Sequence, residues 1–290
     1  MASHPLDMGR ADDAVGRLLL LALDEDVGPG DRTAEAVVPA GARGRALIVA
    51  KEPLVVSGLS AAARVFRLLD PECVLEALAG EGDLVDPGGG VLRVTGSLRA
   101  LLTGERTALN LVQRLSGVAT QARRWAEALR GTRTRLLDTR KTMPGLRGLE
   151  KAAVRAGGAQ NHRTALFDGI LVKDNHAAAA GSVGEAVRRA KAGAHPLMRV
   201  EAEVSTPAQI EEALAAGAEM LLLDNLGDLE LAAAVKQVAG RVPTECSGGV
   251  TFDRLGRIAA CGVDYVSAGA LTHSAVAVDL SLIIEAREAR

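Results

Sequence analysis

The sequence predicts an α/β protein built of two parts, an N-terminal mixed α+β domain followed by a βα barrel. From residue 134 onward, short apolar strands recur, and each ends in a polar residue before an Ala-rich helical stretch. The later strands are about twenty residues apart, which is room for one strand, one helix and two loops. Residues 31–100 instead hold short β-rich pieces punctuated by Gly and Pro, a pattern typical of an antiparallel sheet.

The N-terminal part starts with a predicted amphipathic helix over residues 11–26, which ends at Gly28-Pro29-Gly30. A second helix is predicted over residues 59–69, between the β-rich pieces. Those pieces are Ala46–Ala50, Leu54–Ser57 and Val91–Thr95.

A long helix is predicted over residues 100–130, with an interruption near Ser116-Gly117. Residues 1–117 are predicted to form the N-terminal α+β domain and residues 118–274 the barrel. Residues 275–290 are predicted to form a C-terminal helix that packs back on the first domain.

Six polar residues mark the predicted strand ends of the second part. Because six are too few for a full eight-stranded barrel, a closed or nearly closed smaller barrel is expected, with these residues converging at one rim. An open doubly wound sheet is the alternative, although no GxGxxG motif follows a first strand and no Walker loop is present. The residues are Asp138, Lys173, Glu203, Asp224, Glu245 and Ser267.

Composition narrows the possible functions. Aromatic residues make up only 2% of the chain, so the core must be aliphatic and nucleic-acid binding through base stacking is not expected. No export signal is visible at the N-terminus, and the apolar run Leu18–Leu23 is too short to span a bilayer. Three cysteines without close pairing, Cys73, Cys246 and Cys261, are typical of a reduced cytoplasmic protein.

Residues 138–176 form a basic segment in a chain whose net charge is −2. A local basic cluster usually faces a small anionic ligand, since a nucleic-acid surface needs broader positive charge. The middle of the segment, from Arg147 to Arg155, also fits an ordinary solvated helix face. The two ends fit that explanation less well, because each is a dense polar group directly after a short strand.

The predicted rim combines three kinds of chemistry. Arginine and lysine side chains suit carboxylates and phosphates. Glu203 and Asp224 each follow a strand, and Glu201 points to the same side of its strand as Glu203. The Gly-rich turns at 247–249 and 268–270 resemble late barrel loops that bind phosphate, although such turns are often only structural. Together these features predict a site that brings a phosphorylated sugar and an acidic small molecule together. The cations of the rim are Arg140, Lys141, Arg163 and Lys173.

Ordered motifs along nearly the whole chain resemble quinolinate phosphoribosyltransferase. They are GDRT at 30–33, GERTALNLVQRLSGVAT at 104–120, DTRKTMPGLR at 138–147, GGAQNHR at 157–163, LVKDNH at 171–176, EAEV at 201–204, LLLDN at 221–225, ECSGG at 245–249 and SAGALTHS at 267–274. The resemblance implies a type II phosphoribosyltransferase-like fold, with an open-faced α+β sandwich before the barrel. It also implies transfer of phosphoribosyl from phosphoribosyl pyrophosphate to quinolinate with decarboxylation, which gives nicotinate mononucleotide, pyrophosphate and CO2 in NAD synthesis.

The resemblance assigns roles to individual residues. Lys141, Glu203 and Asp224 would be catalytic, and the two carboxylates would also bind Mg²⁺, partly through water or substrate. Arg106 would come from the partner subunit of a homodimer, and assembly into hexamers is left open. Quinolinate would contact Arg106, Arg140, His162, Arg163 and Lys173. Phosphoribosyl pyrophosphate would contact Lys141, Glu203, Asp224, Ser247, Gly248, Gly249, Gly269 and His273.

Three positions depart from the family pattern, and three rival functions have to be weighed. Ala159 and Ala165 stand where the family usually has glycine, which matters if the backbone needs positive φ, and Ala202 replaces a larger aliphatic residue. A molybdate-operon relative of the same fold would be expected to depart around the KDNH segment, which is intact. A non-catalytic phosphoribosyl-ligand sensor would be favoured by loss of Lys141, Glu203 or Asp224, and all three are present. Direct use of nicotinate would not need cations for a second carboxylate.

Overall fold

The computed structural model describes Leu6 and residues 13–285, and this part of the chain forms two compact units. The first unit comprises the chain up to Arg123, Met143–Gly158 and the part from Ala275 onward. The second comprises Arg124–Thr142 and Ala159–Ser274.

The first unit is an antiparallel sheet with helices packed against it. Its four-stranded sheet has the order β12-β1-β5-β3, and a core cluster joins Ile48 and Leu92 of the sheet to Leu19, Phe66 and Leu109 of the helices. The core is aliphatic apart from Phe66, as the composition predicts. The elements are α1 (Ala14–Val27), α2 (Arg32–Val37), β1 (Arg43–Ala50), β2 (Leu54–Val55), α3 (Leu59–Leu69), β3 (Val74–Ala77), β4 (Leu84–Val85), β5 (Gly90–Ser97), α4 (Leu98–Ala128), α5 (Arg147–Ala156) and β12 (Leu280–Glu285).

The two predicted N-terminal helices are present. The helix predicted over residues 59–69 is α3, with the predicted bounds. The helix predicted over 11–26 is α1, which begins at Ala14 after Asp13 caps it by accepting a hydrogen bond from Gly16 N. Residues 11 and 12 lie outside the described part of the chain.

The segment Met143–Gly158 lies in the predicted barrel region of the sequence but belongs to the first unit. The reason is Glu150 of α5, which is fully buried and accepts hydrogen bonds from Arg114 Nε at 3.0 Å and Nη2 at 2.7 Å. Arg114 Nη1 also donates to Ala275 O at 2.8 Å. A buried carboxylate needs such a partner, so α5 is held against α4.

The prediction of an interruption near Ser116-Gly117 is wrong, because α4 runs unbroken from Leu98 to Ala128. Ser116 is fully buried, and its Oγ donates to Ser57 O at 3.1 Å and accepts from Ser57 N at 3.0 Å. A Cβ on Gly117 would lie 2.1 Å from Val276 O. The two small residues therefore allow close packing inside the unit and do not end the helix.

The predicted C-terminal helix over 275–290 is also wrong within the described residues. The chain forms strand β12 at Leu280–Glu285, which pairs antiparallel with β1 from Ala50↔Leu280 to Arg45↔Glu285. The run Leu282-Ile283-Ile284 favours a strand because β-branched side chains pack well on a pleated surface. The segment does return to the first unit, but as an edge strand. Residues 286–290 lie outside the described part.

The second unit is a parallel sheet whose strands alternate with helices. Its elements are β6 (Arg135–Leu137), β7 (Ile170–Val172), α6 (Asp174–Ala180), α7 (Val183–Gly193), β8 (Val200–Val204), α8 (Pro207–Ala215), β9 (Met220–Asp224), α9 (Asp228–Val238), β10 (Thr244–Ser247), a 3-10 turn (Phe252–Arg254), α10 (Leu255–Ala260), β11 (Tyr265–Ser267) and α11 (Ala270–His273). The six strands correspond to the six predicted polar strand ends, although Glu203 lies inside β8 and Glu245 inside β10, and neither is the last residue of its strand.

The strand order of this unit distinguishes the barrel from the doubly wound alternative. The order is β6-β11-β10-β9-β8-β7, so neighbours follow one another around the sheet and the first strand lies beside the last. A doubly wound sheet would reverse direction at a switch point, and this one does not. A parallel bridge from Leu137 to Gln160 extends the pairing beyond β6. The fold is therefore the predicted one, an α+β open-faced sandwich unit and a βα barrel unit.

Two predictions from the sequence concern the cellular compartment of the protein. Cys73, Cys246 and Cys261 are free thiols in the structure. Among the described helices, none combines the length and the hydrophobicity that a bilayer crossing requires.

Candidate active site

A cavity of about 810 Å³ opens at the carboxyl ends of the barrel strands and is lined by residues of the second unit. Parallel strands bring the residues that follow them to one rim, which is where the sequence placed the chemistry. Arg106 is an exposed residue of α4 in the first unit. The other predicted site residues all line the cavity: Arg140, Lys141, His162, Arg163, Lys173, Glu203, Asp224, Ser247, Gly248, Gly249, Gly269 and His273.

Positive charge is concentrated on one side of the cavity. Arg163 is held by a hydrogen bond from its Nη1 to Gly169 O at 2.8 Å. Burial lowers the pKa of Arg163, and the nearby positive charge of Arg140 lowers it further. Lys173 Nζ lies 3.3 Å from Glu203 Oε2. Cations that repel each other in a partly buried wall are stabilised by a bound anion, so this side of the cavity suits a carboxylate ligand.

His162 is oriented by three hydrogen bonds at the bottom of this wall. Its backbone N–H donates to Asp138 Oδ1 at 2.8 Å, and Asp138 is fully buried after β6. Its Nδ1 accepts from Arg163 N at 2.7 Å, and its Nε2 lies 3.2 Å from Glu201 Oε2. These contacts fix the direction of the ring, and the bond to Arg163 N leaves Nε2 as the protonated nitrogen of the neutral form.

Glu201 and Glu245 form a carboxylate pair beside His162. His162 Nε2 is 3.6 Å from Glu245 Oε2. Burial raises the pKa of Glu245 to about 8, and the neighbouring charge of Glu201 contributes. Both positions stand out in the sequence, Glu201 as a partner of Glu203 and Glu245 as a predicted strand end, but neither was predicted to be a site residue. Their position inside buried strands was the available signal, since buried carboxylates are rare without a function or a partner.

Glu203 and Asp224 lie on the adjacent strands β8 and β9. Burial raises the pKa of Asp224, and the negative charge of Glu203 adds to that effect. A cation bound between the two carboxylates would offset the negative charge of both. A donor set of carboxylate oxygens suits Mg²⁺.

Two glycine turns complete the rim. Gly248 and Gly249 have φ of +82° and +57°, and a Cβ on Gly248 would lie 2.4 Å from Asn225 Oδ1. A Cβ on Gly269 would lie 2.8 Å from Lys141 Cδ and 3.0 Å from His273 Nε2. Glycine is therefore favoured at these positions, for the backbone conformation at Gly248 and Gly249 and for close approach of neighbouring side chains at Gly269.

The alanines that replace family glycines fit the structure. Among the described non-glycine residues, only Asn225 and Ala239 have positive φ. Ala159 is buried and Ala165 lies in the loop after Arg163, and neither adopts the left-handed conformation that would favour glycine.

These features define the class of protein: a βα barrel enzyme whose cavity brings together cationic side chains, carboxylates and glycine turns at the carboxyl ends of the strands. The family model for the quinolinate phosphoribosyl transferase C-terminal domain matches residues 118–283, and the N-terminal domain model matches residues 31–116. The chain therefore belongs to the quinolinate phosphoribosyl transferase family.

Individual relatives agree with this family. The chain is 45% identical over 265 residues to a probable nicotinate-nucleotide pyrophosphorylase (carboxylating) of Synechocystis sp., with 90% of each chain covered. It is 42% identical over 277 residues to the nicotinate-nucleotide pyrophosphorylase (carboxylating) of Mycobacterium leprae, with 93% and 97% covered. The solved nicotinate-nucleotide pyrophosphorylase of Francisella tularensis superimposes with a TM-score of 0.90 at 35% identity, covering 97% of this chain and all of that one.

Proposed function

We propose that this chain transfers phosphoribosyl from phosphoribosyl pyrophosphate to quinolinate with loss of CO2, which gives nicotinate mononucleotide and pyrophosphate for NAD synthesis. The observation that carries this proposal is the single cavity that joins Arg140, Arg163 and Lys173 to Glu203 and Asp224. Quinolinate has two carboxylates, which these cations suit. The relatives from Synechocystis sp. and Mycobacterium leprae are both named as nicotinate-nucleotide pyrophosphorylases (carboxylating).

The cationic wall would bind the acceptor. Arg140, Arg163 and Lys173 offer more positive charge than one carboxylate requires, which favours a pyridine diacid over nicotinate. His162 lines the cavity with them and would add a polar contact to the acceptor. Arg106 would supply a further cation from the partner subunit of a homodimer, and its exposure on α4 leaves it available for that role.

At the sugar, departure of pyrophosphate builds positive charge on the ribose ring. Glu203 and Asp224 would stabilise that charge in the transition state. Lys141 would contact the pyrophosphate or ribose. The 5′-phosphate would be bound at Ser247, Gly248, Gly249 and Gly269, with His273 near it.

Glu203 and Asp224 would also hold Mg²⁺, partly through water or substrate. When bound, that ion supplies charge neutralisation for the leaving pyrophosphate. Once the ring nitrogen carries the ribose it is cationic and can accept the electron pair left by the departing carboxylate, so the decarboxylation needs no organic cofactor. We place this activity in the cytoplasm, in agreement with the free thiols.

The deciding experiment incubates the purified protein with carboxyl-labelled quinolinate, phosphoribosyl pyrophosphate and Mg²⁺. Labelled CO2 and nicotinate mononucleotide are expected, and nicotinate as the acceptor should give almost no product. Equal turnover of nicotinate would refute the assignment of the acceptor. Binding of phosphoribosyl pyrophosphate without any turnover would favour the non-catalytic sensor.

A further inference from the structure

Glu245 is a cavity-lining acid that the roles described above do not use. Its side chain is fully buried on β10, and neither of its carboxyl oxygens accepts a hydrogen bond from the described residues. The neighbouring Ser267 hydroxyl donates instead to Ser247 Oγ at 3.0 Å. The His162 Nε2 donor is 3.6 Å from Glu245 Oε2, and the carboxylate of Glu201 is a close neighbour, so a charged Glu245 is strongly destabilised and this environment favours the protonated form.

The cluster around Glu245 fits a proton better than a metal ion. The ligand atoms of His162, Glu201 and Glu245 lie within 4.8 Å of one another, a spacing that would also suit a cation. However, Arg163 N donates to His162 Nδ1, so the proton of the neutral ring is on Nε2. That nitrogen faces the two carboxylates as a donor and has no lone pair to offer a metal.

The reaction needs a proton at this part of the cavity. When the carboxylate leaves C2 of the pyridine ring as CO2, an electron pair remains on C2, and the product carries a hydrogen there. Of the three cations that would hold the substrate carboxylates, Arg140 and Arg163 do not release protons near neutral pH, and Lys173 Nζ is paired with Glu203 Oε2 at 3.3 Å. Glu245 lies in the same cavity, beside the His162 that would contact the acceptor.

We propose that Glu245 is the acid that protonates C2 of the pyridine ring as CO2 leaves, an inference that rests on the proposed function. The bond between C2 and its carboxylate breaks, and its electron pair stays on C2 next to the cationic ring nitrogen. The Glu245 O–H bond then breaks as the new C2–H bond forms, which leaves Glu245 as a carboxylate. Glu245 recovers a proton from water after the product leaves, so no oxidant or reductant is required.

The test separates the two chemical steps in one reaction mixture. In a single turnover with quinolinate, phosphoribosyl pyrophosphate and Mg²⁺, pyrophosphate release reports ribosyl transfer and labelled CO2 reports decarboxylation. Glu245→Gln should release pyrophosphate within about 3-fold of the wild-type rate but slow CO2 release by about 100-fold or more, the usual effect of removing a general acid. The carboxylated nucleotide should accumulate.

Two further variants control for structure. Glu245→Asp keeps an acid and should restore part of the CO2 rate, with a changed pH profile. Glu211→Gln makes the same chemical change on an exposed carboxylate of α8 that pairs with Arg241, and both rates should stay at the wild-type value. Wild-type CO2 release in Glu245→Gln, or equal slowing of both steps, would overturn the proposal, as would a stoichiometric metal ion bound at these three residues.

The wild-type pH profile keeps the proposal testable if Glu245→Gln does not fold. The groups that face Glu245 are Glu201 on β8, His162, Lys173 after β7 and Ser267 on β11. CO2 release should fall as the pH rises past about 8, while pyrophosphate release should not follow the same curve. A CO2 rate that stays level up to pH 10 would overturn the proposal. Absence of pyrophosphate release at every pH would instead refute the proposed function itself.

Discussion

Breaking the buried ion pair between Arg114 and Glu150 should strongly destabilise the first unit. Glu150 is fully buried, and its two oxygens accept hydrogen bonds from Arg114 and, at 3.1 Å, from Met143 N. Arg114→Met keeps the aliphatic stem but leaves the carboxylate without its cation. Breaking a buried pair in this way costs about 3–5 kcal/mol, because the remaining charge stays buried. The free energy of unfolding of Arg114→Met should therefore fall by about that amount.

The matched control is an exposed pair at the end of the same helix, with Glu127 in its last turn and Arg130 two residues beyond it. Arg130 and Glu127 have side chains that are 79% and 53% exposed, so Arg130→Met should change stability by less than about 1 kcal/mol. Replacing both buried partners, Arg114→Met with Glu150→Leu, should recover much of the loss, since no charge is then buried. Guanidinium unfolding followed by circular dichroism measures all three variants. A loss below about 1 kcal/mol in Arg114→Met, equal to the control, would refute the reasoning.

Three more outcomes test the site and its electrostatics. Arg106→Ala should raise the KM for quinolinate by about 10-fold or more with an unchanged circular dichroism spectrum, since the loss of a desolvated charge pair weakens binding by at least about 10-fold. Unchanged kinetics would reject the role assigned to Arg106. Glu203→Ala and Asp224→Ala should each lower kcat more than they raise KM, because the charge that they stabilise develops in the transition state; a rise in KM alone would mean that they only position substrate. The folded-state pKa of Glu245 is raised from 4.5 to about 8, so the folded protein binds its proton more tightly than the unfolded chain does. The stability that this contributes is complete below pH 4.5 and is lost as the pH rises to about 8. The free energy of unfolding of Glu245→Gln, measured by denaturant titration, should therefore rise relative to that of the wild type as the pH increases over this range. A difference that stays constant with pH would contradict the assigned pKa.

The strand ends were the part of the site that residue patterns predicted best. Asp138, Lys173 and Asp224 each stand at or just after a buried apolar strand, and the barrel brings them to one rim for that reason. The wrong predictions came from local signals that tertiary packing overrides. Ser116 and Gly117 predict a helix break, but in the structure their small size allows α4 to pack closely against Ser57 and Val276.

The carboxylate pair could not be assigned from the sequence for a different reason. Glu201 and Glu245 are about forty residues apart in the chain, and only the strand order places both beside His162. The pKa of Glu245 is raised by burial and by the charge of Glu201, and neither cause can be recognised from the residues next to Glu245 in the sequence.

By itself, the sequence determined the class of this protein: an aliphatic α+β domain before a βα barrel, with cations, carboxylates and glycine turns at the strand ends. Periodicity and residue chemistry carry that information because they act over a few neighbouring residues. Only the tertiary structure decided that the last described strand joins the first unit, that α5 is held there by Arg114, and that Glu245 is buried beside a second carboxylate. Those features depend on contacts between distant segments, where burial and pairing, and not local preference, set the free energy.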